Sequence, residues 1–75
     1  MRIRVKLMGI LKDKTPANGK IELREGGTIE DALVALGIPV GTVQVFTVNG
    51  QVERDRRLVL TADAELTVLP PMGGG

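Results

Sequence analysis

Thr28-Ile29-Glu30-Asp31-Ala32-Leu33-Val34-Ala35-Leu36-Gly37-Ile38-Pro39 is the stretch that decides the architecture. Ile29, Ala32, Leu33 and Leu36 recur at i, i+3, i+4 and i+7, so a helix over 28–36 carries one apolar face. Thr28 can cap the first turn. Asp31 stands three residues on, in the capping-box position, and with Glu30 it puts negative charge at the positive end of the helix dipole. Gly37 supplies a left-handed stop, Ile38 can fold back onto the last turn, and Pro39 forbids continuation. A helix with a single apolar stripe needs one sheet face to bury it.

The flanking sequence supplies that sheet. In the first eight residues Ile3, Val5 and Leu7 share one side while Arg2, Arg4 and Lys6 share the other, the period of a half-buried strand. Gly9 breaks the pattern and a polar stretch, Lys12-Asp13-Lys14-Thr15-Pro16, follows; Asn18-Gly19 then suits a tight turn into a second strand over 20–23. Glu25-Gly26-Gly27 connects to the helix. Beyond it, the β-branched run 43–48 predicts a central strand, and Asn49-Gly50 predicts a hairpin into Gln51-Val52. Arg54-Asp55-Arg56-Arg57 could meet an acidic partner or RNA phosphates, but with one Asp inside it and no Tyr or Trp to stack bases it reads as a solvated charge run; 58–60 reads as a short extended return to the core, 61–64 as a turn, and 65–69 as the last strand.

The order is therefore β-β-α-β-β-β. Two hairpins flank one helix, and the first and last strands can pair side by side, parallel, in the middle of a mixed sheet. This predicts an α+β domain over 1–69 with the β-grasp, or ubiquitin-like, fold, followed by an extended, flexible tail over 70–75. An antiparallel α+β sandwich with another strand order satisfies the same pattern.

Composition limits the chemistry. The chain has 75 residues and a net charge of +1, with no Cys, His, Ser, Trp or Tyr, and Phe46 is its sole aromatic. Serine or cysteine triads, imidazole acid–base steps, thiolate or imidazole metal sites and disulfides are thus excluded from within it. So weak a field does not gather nucleic acid or anionic membrane. No apolar run approaches a membrane span, and charges at Arg2, Arg4 and Lys6 interrupt any signal-peptide core, so a cytoplasmic location and a free monomer are expected.

The last six residues are Pro70-Pro71-Met72-Gly73-Gly74-Gly75. The prolines cannot donate to a ladder and hold the chain extended, so the sheet ends there. Six extended residues reach about 20 Å and finish in a carboxylate with no side chain beside it.

Together with the Thr28-to-Leu33 helix start, the Val48-Asn49-Gly50 hairpin and the turn before the last strand, this ending resembles the small sulfur carriers of the MoaD/ThiS type, along essentially the whole chain. Gly74 and Gly75 match the family's terminal pair, while Gly73 departs slightly from relatives that carry another small residue. The resemblance implies a protein co-substrate rather than an enzyme. A ubiquitin-activating-type adenylyltransferase uses ATP and Mg²⁺ to adenylate the Gly75 carboxylate, and a sulfur donor converts the product to a thiocarboxylate. An α-carboxyl with a pKa of about 3.5 is already ionised for that attack. No metal and no bound cofactor are implied for the chain itself. The long first hairpin and Pro70-Pro71 look most like the small subunit of molybdopterin synthase, which implies a synthase large subunit as partner. Thiamine synthesis and tRNA thiolation are the alternatives within the family; outside it stands a β-grasp interaction module or protein modifier.

A docking surface follows from parity. If Ile3, Val5, Leu7, Leu66 and Val68 face the helix, then Arg4, Lys6, Met8, Thr67 and Leu69 lie on the opposite face. Met8 and Leu69 make an apolar centre with basic flanks at Arg4 and Lys6, as a transient partner site would. Gly73 and Gly74 join these as partner-binding residues. Phe46 is expected in the core. Gly26-Gly27 lacks the Gly-Lys-Ser/Thr of a phosphate cradle, and Glu30 and Asp31 are explained by their place in the first helical turn.

Overall fold

A computed structural model describes residues 1–39, 41 and 45–69. The elements run β1 (Arg2–Leu7), a 3₁₀ helix (Gly9–Lys14), β2 (Lys20–Glu22), α1 (Ile29–Ala35), β3 (Phe46–Val48), β4 (Gln51–Glu53) and β5 (Glu65–Val68). The five strands form one sheet in the order β2-β1-β5-β3-β4. β1 and β5 lie parallel at its centre, with Val5 opposite Leu66 and Leu7 opposite Val68; the other pairs are antiparallel. A parallel central pair rules out the purely antiparallel alternative.

α1 forms as its caps dictate. The Thr28 N–H donates to Asp31 Oδ2 at 3.0 Å and the Asp31 N–H donates to Thr28 Oγ1 at 3.2 Å, so the capping box closes from both sides. Thr28 and Leu36 are the caps, and the helix proper is Ile29–Ala35, one residue shorter at each end than the 28–36 expected from periodicity. At its far end Gly37, at φ 74°, donates to Val34 O while the Ile38 N–H reaches Leu33 O, both at 3.0 Å. That is a Schellman stop, and Ile38 is buried in it.

Ile29, Ala32 and Leu33 from α1 pack on Ile3, Val5, Leu7, Leu66, Val68 and Phe46 from one sheet face. Phe46 is fully buried, as its sequence context predicts. Leu60 completes this core, and Val59 pairs with Thr28 in an isolated antiparallel bridge, so the expected extended return at 58–60 is present.

Two elements differ from expectation. The polar stretch after β1 is a 3₁₀ helix, entered through Gly9 at φ 58°, and it brings Leu11 into the core. The expected strand over 43–48 is a strand only at Phe46–Val48; Val45 precedes it, and residues 42–44 lie outside those described. The tail expected over 70–75 also lies outside the described residues.

Candidate functional site

The outer face of the sheet is built by alternation along the central pair. Leu66 and Val68 point to the core, so Thr67 and Leu69 turn away from it, as do Arg4, Lys6 and Met8 beside them. Lys6 lies directly opposite Thr67, Thr67 opposite Thr47, and Thr47 opposite Val52, giving one row across four strands. Val52 is 59% exposed at the end of that row.

Extending each register by one residue gives the next outer row: Met8, Leu69, Val45 and Arg54. The Met8 N–H donates to Val68 O at 3.2 Å, which holds Met8 in line with the end of β5. Met8 is 37% exposed, while Leu69 and Val45 are half-buried. This row lies at the end of β5, where Leu69 is the last residue before the Pro70-to-Gly75 segment expected to form a tail.

The expected docking residues are thus brought onto one face, but they are not equivalent. Met8 and Leu69 adjoin. Lys6 is exposed one row away. Arg4 is tied back: its Nη1 lies 3.9 Å from Glu65 Oε2 and its Nη2 donates to Asp63 O at 3.2 Å. Gly73, Gly74 and Gly75 lie outside the described residues.

Parity along single strands missed Thr47, Val45, Val52 and Arg54. One local signal could have found Val52. A two-residue Asn49-Gly50 turn fixes Val48 opposite Gln51, and so Val52 opposite Thr47. Placing that hairpin beside β5 has no comparable local signal.

The face presents apolar and neutral polar groups rimmed by the cations Arg4, Lys6 and Arg54. Among the described residues no cluster of three or more His, Cys, Asp or Glu side chains is arranged to hold a metal ion. Asp31 lies in the cap of α1, where the Thr28 amide, and next the Arg24 charge, hold its carboxyl below the ordinary value despite some desolvation. No helix among the described residues is long and apolar enough to cross a membrane.

A mixed five-stranded sheet with a parallel central pair, closed on one side by a single α-helix, is the β-grasp fold, and the molecule is a small ubiquitin-like protein. It belongs to the ThiS family, whose model matches residues 5–75. The crystal structure of SAMP1 from Haloferax volcanii superposes with a TM-score of 0.74 at 21% identity, over 100% of both chains. A second structure, of H. volcanii small archaeal modifier protein 1, gives 0.73 at 21% identity over 95% of this chain and 98% of that one. No curated protein matches the chain.

Proposed function

We propose that the chain is a sulfur carrier whose Gly75 carboxylate is the working group. The observation that supports this most is the span of the family match, which runs through residue 75 and so takes in Gly73-Gly74-Gly75 as well as the folded body. On a ubiquitin-activating-type adenylyltransferase, in the cytoplasm, the carboxylate attacks the α-phosphorus of ATP, with Mg²⁺ supplied there, and pyrophosphate leaves. The acyl-adenylate is needed because a carboxylate is a poor electrophile and AMP is a good leaving group. A persulfide sulfur then displaces AMP, and reduction of the remaining S–S bond by a thiol leaves the thiocarboxylate.

Glycines suit that path because no Cβ widens a chain entering a closed, water-excluding site. Ordering such residues costs roughly 1–2 kcal/mol each, so the body must dock as well. Met8 and Leu69, flanked by Lys6 and Arg4, are the surface we assign to docking. Within sulfur carriage, the long first hairpin with its 3₁₀ helix and Pro70-Pro71 favour molybdopterin-type cofactor synthesis, with a synthase large subunit as acceptor.

A second reading, protein modification, shares the adenylation step; a lysine amine on another protein would then take the acyl group. The shared fold with small archaeal modifier protein 1 is the observation on its side.

Intact mass separates the readings. Incubation with ATP, Mg²⁺, the activating enzyme and a sulfur source should add the difference between one sulfur and one oxygen to the chain, and deletion of Gly75 should abolish the gain. A deletion variant that still gains the mass, or a mature protein whose last residue is not Gly75, overturns the assignment. Covalent adducts on acceptor lysines without any thiocarboxylate would support the modifier.

A further inference from the structure

The loop 54–57 carries three guanidinium groups in four residues. From sequence it reads as a solvated run, but its backbone is fastened. Arg56 O accepts the Glu30 N–H at 2.9 Å and Leu58 O accepts the Ile29 N–H at 3.1 Å, so the loop is pinned to the first turn of α1. It also closes on itself, the Leu58 N–H donating to Asp55 O at 3.1 Å and the Arg57 N–H to Asp55 Oδ1 at 2.9 Å. All four side chains are exposed and, with Glu30, line an open cleft. Arg54 stands in the row of Met8 and Leu69, about two strand spacings, or ~10 Å, from Leu69.

We infer that this loop is a second docking element, in which Arg54 and Arg57 pair with carboxylates on the protein that receives the tail. The partner's task rests on the functional reading above; the loop's preference for a carboxylate-bearing protein surface does not. A guanidinium presents a planar fork that matches a carboxylate, and a backbone already held in place reduces what docking must order.

Two other ligands fit less well. A small anion would find no backbone donors at the helix start, because the amides of residues 28–31 are taken by Asp31, Leu58, Arg56 and Thr28. Nucleic acid would find no ring to stack on, since Phe46 is buried, and a net charge of only +1.

The test is calorimetric binding of the full chain to the activating enzyme without ATP, for wild type, Arg54→Glu, Arg57→Glu and a charge-matched control, Lys14→Glu, at an exposed lysine in the last turn of the 3₁₀ helix. Each arginine variant should weaken binding about tenfold and flatten its salt dependence, while the control stays within about twofold. Equal losses in all three, no loss in any, or no binding by wild type overturns the proposal. So does tight binding to total tRNA that Arg54→Glu abolishes. Because binding is read without chemistry, wild type that binds but never gains sulfur counts against the carrier assignment and leaves the loop standing. Loop variants that still reach full thiocarboxylation at saturating enzyme are expected.

Discussion

Asn49 holds Glu65 at two points: its N–H donates to Glu65 O and its Oδ1 accepts the Glu65 N–H, both at 2.9 Å. The tip of the β3-β4 hairpin is thereby locked to the first residue of β5, and the hairpin's register on the central strand is fixed at its outer end. The geometry requires φ 53° at Asn49, a left-handed conformation that asparagine tolerates and most residues do not. Asn49→Ala should therefore lose both the side-chain bond and the conformational fit, about 2–3 kcal/mol in all, whereas Asn49→Gly should lose about 1 kcal/mol. Urea midpoints of the two variants check the order; equal midpoints would show that the left-handed turn is not what Asn49 supplies.

Asp31 gives α1 a pH dependence. Its carboxyl accepts from the Thr28 amide and lies 3.3 Å from Arg24 Nη2, and its pKa is held below the ordinary 3.8. A carboxylate whose folded pKa is depressed stabilises fully above its unfolded pKa, and that stability is lost as pH falls through the folded value. The melting-temperature gap between wild type and Asp31→Asn should be constant near neutrality and close as pH drops below about 4. Thr28→Ala, which removes the reciprocal cap, should cost about 1 kcal/mol at neutral pH. A gap that widens in acid would show that Asp31 is not the group responsible.

What was legible in the sequence divides along the same line as these contacts. Thr28, Asp31 and Gly37 act within one turn of themselves, so their spacing alone fixed the helix and its stop. Alternation at Ile3, Val5, Leu7 and at Leu66, Val68 fixed which faces those strands bury. The 3₁₀ helix escaped because an element of only six residues is too short to make a periodic pattern. Arg54 escaped for a different reason: its alignment with Leu69 runs through the local β3-β4 hairpin and then through the pairing of β3 on β5, which is non-local. The anchoring of loop 54–57 to α1 is likewise made by backbone groups, which carry no residue signature.

Phe46 is the test of the core. It is fully buried among aliphatic side chains, opposite Val68 on β5. Truncation to alanine removes its transfer energy and leaves a cavity, about 3–5 kcal/mol. Domains of this kind have only about 5–15 kcal/mol in total, so Phe46→Ala should be partly unfolded without denaturant, while Phe46→Leu stays folded with a lower urea midpoint. Near-ultraviolet signals are of little use with one aromatic, so far-ultraviolet circular dichroism is the readout.

Met8 and Leu7 are neighbours in the chain and opposites in role. Leu7 is 2% exposed in the core, whereas Met8 is 37% exposed beside Leu69 at the end of β5. Aspartate at Met8 meets solvent and should change stability by no more than about 0.5 kcal/mol. At Leu7 it would bury an unpaired charge and unfold the domain. If the outer face docks the activating enzyme, Met8→Asp places a charge in the apolar row that the enzyme must cover. That interaction is made equally before and during adenylation, so the loss should appear as a raised KM for the chain with kcat little changed. Pyrophosphate release at varied chain concentration, alongside melting curves, separates the two effects. A Met8→Asp chain with wild-type KM would move docking to another face of the molecule.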